Sequence, residues 1–401
     1  LLILFYLGYA RCDDGLVYVT VSFESILLFV LVFILLLRRS KAVPRHVPVP
    51  LEVLQTCGEH MIVPPYSGFI VNDADFCAPK IALKAVGPYS PFINYYVPCA
   101  CTHNEVLSIA TRVCPVLPDL RISWPIIFQY NFELRVGLHR VTAESQKQFL
   151  DSYPVNRRKQ LLVAMESLKV EPYGSHPRDT LISAFLKNEI TLSLDKPIVA
   201  RVIQSRSDRY FTTLGPWMKS FSRMLKLVLN TKQIYYTKGL NPLQLGDLVS
   251  SLIALGFMFA IKSDFGKFDS SQGKDCHDLE MLWYLDACAS DSVLDCLEDQ
   301  TSNLLYTRNN IRATFSYRRK SGDANTSDGN TIINCSVHYS YLRSIGIPST
   351  SIAMLVLGDD ALIFLDALGR QLYLAAGSLK RHSEFAAGAG FKLELGVFDD
   401  D

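Results

Sequence analysis

Ala353-Met-Leu-Val-Leu-Gly358-Asp359-Asp360-Ala-Leu-Ile-Phe-Leu365 is the stretch on which the reading of this chain turns. Two short apolar runs rich in strand-forming residues flank a Gly-Asp-Asp. That is the pattern of a β-hairpin whose turn presents adjacent carboxylates. Carboxylates between buried strands are costly unless solvated, hydrogen-bonded or bound to a cation. By chance alone, Gly-Asp-Asp occurs in roughly one chain in ten of this length, so its significance depends on partners elsewhere.

A second apolar run, Phe257-Met-Phe-Ala-Ile261-Lys-Ser-Asp264-Phe-Gly-Lys-Phe268-Asp269, leads into Asp264 and sets Asp269 where the chain turns toward a helix. An acidic side chain at a strand end is both rigid and open to ligand. With Asp264 beside the hairpin, three carboxylates converge. Two such charges about 4 Å apart repel by roughly 4 kcal/mol at an effective dielectric of 20, so the cluster is expected to hold divalent cations. Oxygen ligands that leave room for water and phosphate suit Mg²⁺ or Mn²⁺ better than zinc. Two ions about 3.5–4 Å apart would activate an attacking hydroxyl and stabilise a leaving pyrophosphate.

A third element is Arg318-Arg-Lys320-Ser321-Gly322-Asp-Ala-Asn-Thr326-Ser-Asp-Gly-Asn330-Thr-Ile-Ile-Asn334. Small and hydroxyl residues form a flexible loop, and Thr326 and Asn330 then fall four apart on one helix face. Such a loop lets backbone approach a nucleotide, and Asn330 is able to hydrogen-bond a ribose hydroxyl. The plain alternative is an N-capped helix entering the core. Upstream, Phe185-Leu-Lys187-Asn-Glu189 and Ala200-Arg201-Val-Ile203-Gln-Ser-Arg206-Ser-Asp-Arg209-Tyr210 alternate apolar pairs with cations, as on a ribbon with one packed and one charged face. Its cations suit a triphosphate or an RNA backbone. Helices are expected over Thr142–Val170 and Pro216–Leu229.

Composition allows this chemistry. The chain has 401 residues, 49% hydrophobic and 20% charged, which is globular rather than disordered. Its net charge of +1 hides a division. Residues 151–240 hold 15 Lys and Arg against 7 Asp and Glu, and residues 241–401 hold 13 against 21. A basic segment followed by an acidic one suits a protein that holds a polyanion near a metal-binding carboxylate cluster. The ten cysteines show no regular framework and read as reduced thiols. Cys99, Cys101, His103 and Cys114 do not match a common zinc spacing.

The N-terminal region is apolar over Leu1–Tyr9 and Leu16–Leu37, interrupted in the second run by Glu24. Arg38, Arg39 and Lys41 follow, so residues 1–42 are expected to anchor the chain with its remainder on the cytosolic side of an intracellular membrane. Val43–Pro50 reads as an extended linker, and Leu51–Trp124 carries no chemistry we assign. The first residue is Leu, and the chain stops just after an expected strand, so it reads as a partial translation.

Taken in order, the basic ribbon, Asp-x4-Asp, Ser-Gly-x3-Thr-x3-Asn and Gly-Asp-Asp resemble the viral RNA-dependent RNA polymerases of positive-strand RNA viruses. The closest likeness is to the tombusvirus-like group, over roughly Phe185–Asp401. The resemblance implies an α+β right hand: fingers and a palm with an antiparallel RRM-like sheet and helices, the thumb largely missing. Residues 43–180 would form an N-terminal region and part of the fingers, 181–256 the fingers with the nucleotide-entry ribbon, and 257–401 the palm with an inserted fingers segment at about 271–320. It also implies that Asp264 and Asp359 bind two Mg²⁺ or Mn²⁺ ions, with Asp360 in support. Asp269 and Asn330 would contact the ribose 2′-hydroxyl, Thr326 would belong to the same nucleotide-binding element, and Lys187, Arg201 and Arg206 would line the triphosphate. Ser321 and Gly322 would shape the loop under template and nucleotide. Gly390-Phe-Lys392 resembles the next family motif, in which a Lys protonates the leaving pyrophosphate.

The implied function is RNA-templated RNA synthesis for viral genome replication in the host cytoplasm, with template and nascent RNA, nucleoside triphosphates and other replication-complex proteins as partners. A reverse transcriptase shares the carboxylates, but Gly358 and Asn330 argue against it. A membrane-tethered RNA-binding scaffold with an inactive palm is the remaining alternative, and such a scaffold gains nothing from clustered repulsive charge.

Overall fold

The computed structural model describes residues 121–176, 178–189, 199–376 and 378–398, with shorter pieces at 45–46, 70–71, 80–84, 93–98 and 100–113. The expected anchor at residues 1–42, all of the expected linker except Arg45 and His46, and two cysteines of the Cys99–Cys114 group lie outside the described residues. Among the described residues no helix is long and apolar enough to cross a membrane.

From residue 121 onward the elements that build the site begin with helices α1 (Trp124–Arg135) and α2 (Val155–Val170). Strands β1 (Ile182–Leu186) and β2 (Val202–Ser205), helix α3 (Asp208–Asn230), strand β3 (Ile234–Tyr236) and helix α4 (Pro242–Ala254) follow. Next come strand β4 (Phe259–Gly266), helices α5 (Lys274–Asp286) and α6 (Asp291–Glu298), and strands β5 (Ser302–Thr307) and β6 (Arg312–Ser316). The long helix α7 (Thr326–Ser344) precedes strands β7 (Ile352–Leu357) and β8 (Asp360–Leu365). Helices α8 (Ala367–Ala375) and α9 (Ser378–Ala387) and strand β9 (Lys392–Phe398) complete this part.

Two sheets organise these elements. A five-stranded sheet runs β9-β4-β8-β7-β3, and a four-stranded sheet runs β6-β5-β1-β2. The expected antiparallel sheet is therefore found over four strands, but β3 joins its edge parallel to β7. In the second sheet β1 pairs antiparallel with β2 and parallel with β5, so the basic ribbon and the 302–316 hairpin share one set of hydrogen bonds.

Burial explains the strand patterns. In β4 Phe259, Ile261, Ser263 and Phe265 turn inward while Lys262 and Asp264 stay exposed, the period of two of a half-buried strand. Strand β7 is buried without alternation from Ile352 to Val356, because helices cover both of its faces. One face joins the main core with Ile332, Val337 and Met354, and the other packs Ala353, Leu355 and Phe364 against Leu252 and Phe257. Helix α7 is buried from Asp328 to Leu342, which makes it an internal strut rather than an amphipathic surface helix.

Two helix boundaries differ from expectation. Thr142–Val170 is broken into Gln146–Asp151 and α2, because Pro154 cannot continue the first helix and instead precedes the second. The break leaves a capping box at Ser145 and Gln148. Helix α3 begins eight residues before Pro216, where Ser207 caps Tyr210 N–H, and carries Pro216 in its interior.

Candidate active site

The hairpin closes with Leu357 opposite Asp360, leaving Gly358 and Asp359 as a two-residue loop. Gly358 takes φ +66°, and a positive φ at the first loop residue is the glycine preference of a type II′ turn. Asp359 is thus held at the tip and Asp360 opens β8. The ladder between β8 and β4 ends at Ala361 opposite Ser263, so Asp360 and Asp264 stand one rung further along. On the other side of β4, Asp264 pairs with Glu394. Paired residues share a sheet face. The rim therefore carries Glu394, Asp264 and Asp360 side by side, with Asp359 on the turn.

Electrostatics report the crowding. Asp264, Asp359 and Asp360 are all exposed. The Asp360 carboxyl is pushed above its ordinary range by partial burial and then by the charges of Asp359 and Asp264. Neighbouring charges that raise the proton affinity of Asp360 mark a place that a cation would relieve. Among the described residues no group of three or more His, Cys, Asp or Glu side chains stands close enough together to hold a metal ion by itself. Mg²⁺ keeps several ligands as water and phosphate and takes only one or two carboxylates. An open, oxygen-only rim fits such an ion.

Asn330 and Asp269 meet directly: Asn330 Nδ2 donates to Asp269 Oδ1 at 2.7 Å. The Asn330 carbonyl oxygen accepts from Gln272 Nε2 at 2.8 Å and Arg319 Nε at 3.0 Å. Arg319 in turn pairs with Glu280, whose carboxylate accepts from Tyr284 Oη at 2.9 Å. Burial raises the Asp269 pKa, the Asn330 hydrogen bond and Arg319 oppose the rise, and Asp359 adds to it. Asp269 is therefore within electrostatic reach of the hairpin tip. Gly329 makes this packing possible, since a Cβ there would lie 2.3 Å from Glu280 Oε2 and 2.6 Å from Arg319 Nη2.

The Ser321–Thr326 loop docks on the ribbon. A Cβ on Gly322 would sit 2.1 Å from the Gln204 carbonyl oxygen in β2, so only glycine permits the approach. Ser321 stays exposed beside it. Thr326 Oγ1 donates to the Lys320 and Asp323 carbonyls at 2.5 and 2.9 Å, tying the loop to the start of α7.

The three ribbon cations separate. Lys187 and Arg201 are exposed and share Glu189, at 2.6 and 3.3 Å. Their hydrogen bond and charges hold the Glu189 pKa below its ordinary value. Arg206, expected on the triphosphate path, is instead buried, its side chain 2% exposed. It donates to Asp323 at 3.1 Å, the Thr180 carbonyl at 2.7 Å and Asn303 Oδ1 at 2.6 Å, and it lies 4.8 Å over the Tyr210 ring. Its donors are spent inside the protein, where an unpaired guanidinium would be prohibitive. Arg206 anchors the loop.

Lys392 opens β9 opposite Gly266 and shares its face with Glu394 and Asp264. Its ammonium contacts Glu394 at 2.8 Å, which raises the Lys392 pKa. Arg319, Gln272, Glu280 and Glu394 have no place in the motif reading. Arg319 sits in a run of cations that looks solvent-exposed, and Glu394 becomes part of the rim only through the register of β9 on β4.

With this geometry in view, the comparison with known proteins is specific. The family described as viral RNA dependent RNA polymerase matches residues 128–381. The RNA-directed RNA polymerase of Melon necrotic spot virus is 31% identical over 262 residues, 61% of this chain and 31% of that protein. That of Cucumber necrosis virus is 27% identical over 263 residues, 62% of this chain and 31% of that protein. The putative RNA-directed RNA polymerase of Barley yellow dwarf virus (isolate PAV) is 26% identical over 297 residues, 70% of this chain and 33% of that protein. The chain spans about a third of the length of the curated relatives it matches.

Proposed function

The chain belongs to the viral RNA-dependent RNA polymerase family, and from that membership we propose that it carries the catalytic palm and part of the fingers of an enzyme for RNA-templated RNA synthesis. The observation that carries the reading is the register that sets Asp264, Asp359 and Asp360 on one rim, with Asp269 of the Asp269–Asn330 pair within electrostatic reach of Asp359. In this reading the five-stranded sheet is the palm and the four-stranded sheet belongs to the fingers.

Asp264 and Asp359 would hold two Mg²⁺ or Mn²⁺ ions, with Asp360 in support; bound there, the ions would supply activation of the 3′-hydroxyl and charge relief on the leaving pyrophosphate. Asp269 and Asn330 face the ribose of the entering nucleotide, where an amide and a carboxylate are able to engage a 2′-hydroxyl. Lys187 and Arg201 exchange Glu189 for the triphosphate. Ser321 and Gly322 support template and nucleotide from the docked loop. Lys392, on the same face as Asp264, gives a proton to the departing pyrophosphate.

The apolar runs Leu1–Tyr9 and Leu16–Leu37, followed by Arg38, Arg39 and Lys41, support attachment to the cytosolic face of an intracellular membrane in the host cytoplasm. Other replication proteins would assemble there.

Primer extension on an RNA template tests the reading. Asp359→Ala should lower nucleotide incorporation by at least about a thousandfold, as expected when charge stabilisation at the reacting phosphate is removed, with the melting temperature preserved. A folded Asp359→Ala protein that still incorporates nucleotides at the parental rate would sink the assignment.

A further inference from the structure

The hairpin tip is held from below. Gly358 N–H donates to Thr331 Oγ1 at 3.0 Å, and Asn334 Nδ2 donates to the Gly358 carbonyl at 3.0 Å. These two bonds pin the peptide planes on either side of Gly358. With both planes fixed, the main chain leading into Asp359 is fixed as well. A two-residue turn closes without such help, so the clasp is additional to what the hairpin needs.

The clasp is also costly. Thr331 and Asn334 are fully buried, and Asn334 Oδ1 has no hydrogen-bond partner. An apolar side chain there would avoid an unpaired buried acceptor. Thr331 donates its own hydroxyl to the Ser327 carbonyl at 2.8 Å, which orients its oxygen to receive Gly358 N–H. Both residues sit on α7, the buried strut that also carries Asn330, one residue before Thr331 and four before Asn334.

We propose that Thr331 and Asn334 are positioning residues that set Asp359 against the sugar-facing Asn330–Asp269 pair through one rigid helix. The proposal rests on the polymerase reading and deepens it. The ribose contact and the metal-facing carboxylate share a single reference, so neither moves without the other. A displacement of about 1 Å between reacting groups costs on the order of a hundredfold in rate.

The test uses the longest natural reading frame that carries this chain. Thr331→Val keeps shape but removes the acceptor, Asn334→Leu removes the donor, and Thr331→Ser keeps the oxygen. Ile332→Val, on the same buried helix, controls for packing. Thr331→Val and Asn334→Leu should each lower kcat about 10- to 100-fold, raise the half-saturating Mg²⁺ concentration several-fold and leave the nucleotide KM within about twofold. Thr331→Ser should recover both values. Mn²⁺ binding to the free protein, followed by electron paramagnetic resonance, should weaken in Thr331→Val and not in Ile332→Val.

Unchanged Mn²⁺ affinity and Mg²⁺ dependence in folded Thr331→Val and Asn334→Leu would overturn the inference. Loss of folding in both, with Ile332→Val folded, would assign the clasp to stability and overturn it too. A parental protein that binds Mn²⁺ yet incorporates no nucleotide would instead overturn the polymerase reading.

Discussion

The rim of the five-stranded sheet and the junction between loop and ribbon are both dense in charge, and they are built on opposite terms. At the rim Asp264, Asp359 and Asp360 carry one sign, stand exposed and take part in no ion pair within the described residues. At the junction Arg206 meets Asp323 and Arg319 meets Glu280, with opposite signs and buried side chains. Lys320 is buried there as well, its ammonium 3.1 Å from the Gln300 carbonyl, and burial drives its pKa well down. Charge left uncompensated in solvent is available to a ligand. Charge compensated in the interior is committed to holding the backbone in place.

The widest break between the two regions is expected at Arg206 and Arg201, which lie five residues apart on the same ribbon. Arg206→Met leaves the buried Asp323 without its nearest cation, with only Lys320 at 3.9 Å, and should cost about 3–5 kcal/mol of stability. Arg201→Met, at an exposed position, should stay within about 0.5 kcal/mol of the parent while raising the nucleotide KM. Urea unfolding and steady-state kinetics on both variants separate the outcomes. An Arg206→Met protein of parental stability with only a raised KM would place the buried junction among the substrate contacts and erase the contrast.

Asn330 straddles the two regions, so its removal should show in both. Asn330→Ala strips hydrogen bonds from Asp269, Gln272 and Arg319. It should cost about 1–3 kcal/mol for the polar groups left unpaired. It should also narrow the preference for ribonucleotides over deoxyribonucleotides in paired incorporation assays. Stability lost with the sugar preference intact would confine Asn330 to the buried network.

Much of this was legible in the sequence. The apolar runs around Gly358 give the hairpin, the apolar run from Phe257 leads a strand into Asp264, and the four-residue spacing of Thr326 and Asn330 sets the start of α7. What could not be read was which cations are spent. Arg201 and Arg206 look equivalent in a ribbon pattern, and only the approach of Asp323, Asn303 and Thr180 from distant segments buries one of them. Glu394 was hidden for a related reason, because its place beside Asp264 is a property of β-ladder register rather than of spacing along the chain. Pro216 misled in another way: a proline more often starts a helix than sits inside one, but here Ser207 supplies the cap.

The smallest expected effect concerns the sign of the rim's own contribution to stability. Asp360 holds its proton more tightly in the folded protein than an ordinary carboxylate, through partial burial and then Asp359 and Asp264. A folded-state pKa raised in this way means that the folded state binds more protons than the unfolded one in the window just above the ordinary carboxylate value of about 3.9. Stability from this group is therefore fully present below that value and is lost as pH rises through the folded pKa. At neutral pH the ionised Asp360 works against the fold, and Asp360→Asn should be more stable than the parent. The group is largely exposed, so solvent screening keeps the gain below about 1 kcal/mol. The difference between the two unfolding curves should shrink as pH falls from 7 toward 4. Added Mg²⁺ should also shrink it at neutral pH, by stabilising the parent more than the variant. A variant no more stable than the parent at pH 7 would mean that the rim carboxylates do not repel one another, and the contrast with the compensated junction would lose its physical basis.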